Sequence, residues 1–370
     1  MLTSNFIITG SDYKEPFSGE LGFFETWSLL DKIFDKKNIA SLTDEIINDI
    51  NQLEQFLHSH NIIQFFRADK NGYRLINDLC KTKNNPTIVI SQSSCPEDCA
   101  NIIPLKDFHI IFWQLSRFLD TENFPYIKRN SGDIKFDFFI QKANVDTGHP
   151  ELYAALDKEN LLQNALYSRP AVDSYSIMPF EFDEYGVNEY LYKSCPYVSW
   201  DNKDYDSTCM FVGNNMDTKL ERAKFEYVNT CNSIRKCAFA IGQQDNIRIN
   251  NYNEAITEKL TWPILAGVPS LLLLNNESLE HFNCLGFETS DWLVPCDDRQ
   301  QSSAYLGQCV DAIKYFVKNA HDPVWQQEKM EIAKHNFICL KNAHVLQDTM
   351  MIEQIRSWPE SAKSFLRTIP

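Results

Sequence analysis

Cys237-Ala238-Phe239-Ala240-Ile241-Gly242 and Ser270-Leu271-Leu272-Leu273-Leu274 are short, unbroken apolar runs. Between them lies Ala255-Ile256-Thr257-Glu258-Lys259-Leu260-Thr261-Trp262-Pro263-Ile264-Leu265-Ala266-Gly267-Val268-Pro269. Continuous apolar runs of this length, bounded by Gly and Pro, read as strands buried on both faces, the kind found in parallel sheets. The segment between them reads as a crossover helix over Glu258 to Ala266. Thr257 is placed as its N-cap, Pro263 bends it, and Gly267 stops it. One βαβ unit of this kind already specifies an α/β protein.

The same alternation extends outward in both directions. In the first third, strands are expected at Phe6 to Gly10, Ile62 to Phe66 and Thr87 to Ser91. Helices are expected at Phe23 to Phe34, Asp44 to His58, Tyr73 to Lys81 and Phe108 to Leu119. In the second of these helices Ile46, Ile50, Leu53 and Leu57 fall on one face. A polar stretch, Lys128 to Asp133, marks the expected domain boundary. The pattern then restarts with strands at Lys135 to Gln141 and Thr208 to Gly213, and helices at Glu151 to Lys158 and Lys219 to Thr230. The C-terminal residues read as two helical stretches, Trp325 to Leu340 and His344 to Trp358. The expected organisation is an α/β chain of two Rossmann-like domains facing a cleft, residues 1–130 and 131–342. A terminal helix, 343–370, crosses back to the first domain. Ligands of open α/β sheets bind where strand-end loops meet such a cleft.

Composition narrows what the cleft holds. The 370 residues include 35 basic and 50 acidic side chains, a net charge of −15. That balance argues against charge-driven binding to nucleic acid or anionic membranes. No stretch has the length of a membrane span, since Trp262 to Leu274 is interrupted by Pro263, Gly267 and Pro269. The N-terminus lacks a signal-peptide pattern, and the 11 cysteines are an odd number, so reduced thiols in a cytoplasmic protein are expected. Cys95 and Cys99 are a tight pair without further ligands at metal-site spacing, and no metal is expected there. With only 12 glycines there is no Gly-rich phosphate cradle, and no G-x-G-x-x-G, Walker loop or H-E-x-x-H occurs.

A helix N-terminus can replace such a cradle. Its free N–H groups and positive dipole end bind anions, and a lysine there runs against dipole preference unless an anionic ligand compensates it. Lys259 fits a diphosphate on this argument, and Glu258 fits a ribose diol. Read on composition alone, Glu258 and Lys259 are a solvated pair on an exposed first turn.

The wider window resembles the donor-binding segment of family 10 glycosyltransferases, the α1,3-fucosyltransferase type. In that family an F-x-N/S strand precedes [YF]-[IV]-T-E-K and an apolar helix. The matching residues are Cys237 to Ile241, Ile256-Thr257-Glu258-Lys259-Leu260, and Ala266-Gly267-Val268-Pro269. It is also similar to bacterial and viral glycosyltransferase-like proteins through Trp262 to Pro269 and through Leu285-Gly286-Phe287-Glu288-Thr289. The resemblance covers about fifty residues and implies a GT-B fold. It also implies Glu258 at the nucleotide ribose and Lys259 at the diphosphate. Two departures stand out: Ala255 replaces an aromatic, and Gln243-Gln244 replaces the usual acidic or amide pair after the strand.

The resemblance also implies a second phosphate cation, for which two residues compete. Arg222 lies in a segment, Phe211 to Phe225, similar to the family's strand and R-x-x-F helix. It has the fork geometry that suits phosphate, but it lies close in sequence to Glu258. Lys142 follows the Lys135 to Gln141 strand at a spacing that suits a whole domain. The implied activity is hexosyl or fucosyl transfer from a nucleotide-diphosphate sugar to a hydroxyl of a glycan or other acceptor. The nucleotide sugar acts as substrate and no separate cofactor is expected. No D-x-D motif calls for a metal. Glu20 and Asp69 are candidates for a catalytic base, which stays unassigned, and Trp113, Trp200 and Trp292 are candidates for stacking on a sugar. Two alternatives stay open: a non-catalytic nucleotide-sugar-binding or scaffold protein, and a glycosyltransferase acting on nucleic-acid bases.

Overall fold

A computed structural model describes residues 8–9, 39–41, 49–64, 67–68, 70–83, 87–90, 95–104, 112, 115–116, 119–120, 123–140, 149–167, 231–243, 258–293 and 302–363. β1 (Ile8–Thr9) pairs antiparallel with β4 (Arg67–Ala68). β2 (Ile39–Ser41), β3 (Ile62–Gln64), β5 (Thr87–Ile90) and β6 (Ile102–Pro104) form a parallel sheet whose strands lie side by side in chain order. Pro104 ends β6 at the sheet edge, where a missing N–H leaves no gap in a ladder. Between β2 and β3 runs α1 (Ile50–Ser59), capped by Asp49, whose carboxylate accepts from the Asn51 and Gln52 N–H groups. Leu53 and Leu57 of α1 are buried as their spacing predicts, but Ile50, the first helical residue, is exposed. α2 (Lys70–Leu79) adds Tyr73 and Ile76 to the same core, together with Ile63, Val89 and Ile102.

The second sheet is also parallel and four-stranded, but its order is different. β7 (Phe136–Ile140), β8 (Ala165–Tyr167), β9 (Cys237–Gln243) and β10 (Ser270–Leu273) are arranged β10-β9-β7-β8. From β7 the chain moves to one side through α3 (His149–Lys158). From β9 it moves to the other side through α4 (Glu258–Ala266). All seven residues of β9 are buried, as expected for a strand covered on both faces. Alternating side chains separate two cores. Phe138, Ile140, Phe239 and Ile241 pack with Leu152 and Leu156 of α3 and with Cys309 and Ile313 of α6 (Ser302–Asn319). Phe139 and Ala240 pack on the other face with Leu260, Ile264 and Leu265 of α4.

α5 (Asn276–Cys284) follows β10, and Leu293 returns to bridge Leu273. The two helical stretches expected after Trp325 are a single helix, α7 (Pro323–Ser357), of 35 residues. Lys341, Asn342 and Ala343 between them contain no breaker, and buried contacts continue through Leu340, Ala343 and His344. α7 touches both sheets. Gln326 Nε2 donates to the Ala238 carbonyl, and Gln354 Nε2 donates to the carbonyl of Pro104. Near its middle, Ser116 Oγ donates to the Lys341 carbonyl and accepts from the His344 N–H. The short α8 (Glu360–Lys363) follows. Among the described residues no helix is long and apolar enough to cross a membrane. The expected strand at Thr208 to Gly213 and the helices at Phe23 to Phe34 and Lys219 to Thr230 lie outside the described residues.

Candidate functional site

β7 and β9 are neighbours whose crossover helices leave toward opposite faces, α3 on one and α4 on the other. Their carboxyl ends, Ile140 and Gln243, therefore border the crevice that opens wherever strand order reverses in a parallel sheet. α4 starts at this carboxyl edge, with Glu258 and Lys259 in its first turn, and returns to the amino edge at Ala266. At nine residues it is long enough to develop a terminal dipole.

The rest of α4 is held firmly. Leu260, Ile264, Leu265 and Ala266 are buried, as is Thr261, so the helix is a buried one rather than an amphipathic surface element. It continues through Pro263. Gly267 ends it at φ +66°, and a Cβ there would stand 2.7 Å from Tyr126 Cε2. Only glycine suits both the left-handed backbone and the aromatic ring above it.

At the crevice itself Gln243 is the unusual residue. It is 2% exposed, and neither Nε2 nor Oε1 of its carboxamide has a hydrogen-bond partner among the described residues. It shares strand parity with Phe239 and Ile241, which places it on the α3 side while its own chain departs toward α4. On the same side, Tyr153 Oη of α3 donates to the Ile140 carbonyl at 3.4 Å. In sequence terms Gln243 is only a departure from a family pattern. The signal that marks it is a polar residue ending a strand that is otherwise small or apolar.

The Leu285-Gly286-Phe287-Glu288-Thr289 segment has a packing role. Gly286 adopts φ +83° after α5, and Phe287 packs against Phe112, Phe282 and Trp292. Asn336 of α7 clamps the next residue, donating from Nδ2 to the Glu288 carbonyl and accepting its N–H. The Ser290 N–H bond holds the Glu288 carboxyl below its ordinary value. Trp292, a candidate for sugar stacking, is 6% exposed and belongs to this aromatic core.

The amino edge of the sheet is tied by arginines. Arg129 donates to the carbonyls of Cys237 and Ala238 and to Gln326 Oε1 of α7. Burial lowers its guanidinium to about 10. Arg235 Nε donates to the Ala266 carbonyl at the end of α4, 3.1 Å away.

The structure thus brings the start of α4, with Glu258 and Lys259, to the same sheet edge as Gln243. Thr257, Arg222, Lys142, Glu20, Asp69, Trp113 and Trp200 lie outside the described residues. Among the described residues no cluster of three or more His, Cys, Asp or Glu side chains is gathered for a metal. Cys95 and Cys99 are buried in the first core beside Cys80. Protein-family models, curated proteins and solved structures were each compared with the chain, and none matches.

Proposed function

We propose that the chain is a glycosyltransferase that moves a sugar from a nucleotide-diphosphate donor to a hydroxyl acceptor. The observation that carries the reading is the position of α4. The helix that opens with Glu258 and Lys259 starts at the carboxyl edge of a parallel sheet, beside its switch point. Ligands of open α/β sheets occupy that place, and a helix N-terminus there favours an anion.

In this reading the second sheet belongs to the donor domain of a GT-B enzyme, and the first sheet lies on the acceptor side. The donor diphosphate sits against the α4 N-terminus with Lys259 as its cation, and Glu258 accepts from the ribose hydroxyls. The second cation is Arg222, with Lys142, two positions beyond the end of β7 in sequence, held in reserve. During transfer the acceptor oxygen bonds to the anomeric carbon while the bond to the diphosphate breaks. The developing negative charge is met by lysine and by helix N–H groups already in position. A carboxylate base would take the acceptor proton.

The test is a thermal-shift panel of nucleoside diphosphates and nucleotide sugars on the wild type and on Lys259→Ala. One nucleotide family should raise the wild-type melting temperature, since ligand at a hundredfold excess over Kd stabilises by about 2.7 kcal/mol. Lys259→Ala should lose most of that shift. If no nucleotide moves the wild-type melting temperature, the glycosyltransferase reading is wrong.

A further inference from the structure

A buried carboxamide with neither of its polar ends satisfied needs an explanation, because native proteins pair nearly all such groups. Gln243 is of this kind, with both Nε2 and Oε1 enclosed and unpartnered among the described residues. A packing role does not account for it. The other β9 residues on its face, Phe239 and Ile241, are apolar, and its register neighbour on β10 is Leu273. An apolar residue would fill this position without leaving polar atoms unpaired. The position also coincides with the crevice between the β7 and β9 crossovers, at the edge where α4 begins. The amide and the helix N-terminus are independent features of one sheet edge, the amide on the α3 face and the helix on the other.

We propose that Gln243 is the specificity-determining residue of the donor site and reads the nucleobase. This assignment rests on the donor-site reading of α4. A carboxamide presents one donor face and one acceptor face in a single plane. Adjacent donor and acceptor atoms on a base edge match that pattern, as in paired contacts of Asn or Gln with adenine. A diphosphate or a sugar ring lacks this planar pairing. In this arrangement α4 holds the charged part of the ligand, and Gln243, on the α3 side, pairs with the base.

The experiment measures Kd for adenosine, guanosine, cytidine and uridine diphosphates and for inorganic pyrophosphate, on the wild type, Gln243→Leu and Gln243→Glu. The wild type should favour one base by about tenfold or more. Gln243→Leu should bring the four nucleotides to within about threefold of one another while leaving pyrophosphate binding unchanged. Its ligand-free melting temperature should equal or exceed that of the wild type, because an unsatisfied buried amide has been removed. Gln243→Glu accepts twice and donates nothing, so it should move the preference toward guanosine diphosphate, whose base offers two adjacent donors. Should the leucine variant fail to fold, the base preference of the glutamate variant decides the matter. Base preference that survives both substitutions overturns the role of Gln243 alone, and assigns its carboxamide to a buried water. Absence of binding by every nucleotide and by pyrophosphate to the wild type removes the donor-site reading as well.

Discussion

The two edges of the second sheet differ in how far their buried polar groups are paired. At the amino edge, Arg129 reaches two β9 carbonyls and Gln326, and Gln326 in turn reaches Ala238 and Ala320. Arg235 Nε takes the Ala266 carbonyl and Nη1 the Asn232 carboxamide oxygen, leaving Nη2 without a partner among the described residues, and Tyr126 Oη donates to the Gly267 carbonyl at 3.5 Å. At the carboxyl edge the carboxamide of Gln243 pairs with nothing among the described residues. In a parallel α/β sheet the amino edge can be tied by such bonds, because ligands approach the other one. The contrast therefore separates a clamp from a receptor. It also predicts that damage to one edge leaves the other working.

The strongest challenge is Arg129→Met. The substitution keeps the bulk of the stem but removes every donor, leaving the Cys237 carbonyl and Gln326 Oε1 without their charged partner. Hydrogen bonds from a charged group to buried acceptors are worth about 1.5–3 kcal/mol each. Burial already disfavours this guanidinium, so relief of that cost offsets part of the loss. A net destabilisation on the order of 3 kcal/mol is expected, read as a lower melting temperature. The nucleotide-induced shift should survive. An unchanged melting temperature would mean that desolvation cancels the bonds and that the amino edge is no clamp.

Gly267→Ala comes next. The residue must hold a left-handed backbone with a Cβ 2.7 Å from the Tyr126 ring. The backbone and the contact together should cost about 1–3 kcal/mol, measured as the shift in denaturant midpoint. Gly307→Ala is the internal control. It sits in α6 with nothing within 4 Å of its Cβ, so alanine there should be neutral or stabilising.

α4 is the most legible element of the chain. The expected span from Glu258 to Ala266 coincides with the observed helix, because Gly267 and Pro269 punctuate an otherwise apolar segment. β9 and β10 are legible as apolar runs for the same reason. Three-residue strands such as β6 and β8 carry too few positions to show a period, and tertiary pairing makes them. Local pattern divides α7 in two because Lys341, Asn342 and Ala343 are polar or small, yet neither property ends a helix. Of the candidate site, the position of Glu258 and Lys259 at a helix start follows from local pattern. The burial of Gln243 does not, since it depends on which crossover covers which face of the sheet, and strand order is a property of the whole domain.

Asp322→Ala is the mildest perturbation of the amino edge and the sharpest test of independence. Asp322 caps α7, its Oδ1 accepting from the N–H groups of Val324 and Trp325 at 2.7 and 3.2 Å. Pro323 follows at the first helical position, where its missing N–H costs nothing. Removing the cap should destabilise by about 1 kcal/mol, seen as a small fall in melting temperature. α7 runs from this cap past Arg129 and Gln326 toward Pro104 of the first sheet. Loosening its first turn thus disturbs the clamp without touching Gln243 or the start of α4. If the edges are separate, the nucleotide-induced shift of Asp322→Ala equals that of the wild type. A smaller shift would show that α7 carries strain from the amino edge to the crevice, and the division into clamp and receptor would have to be given up.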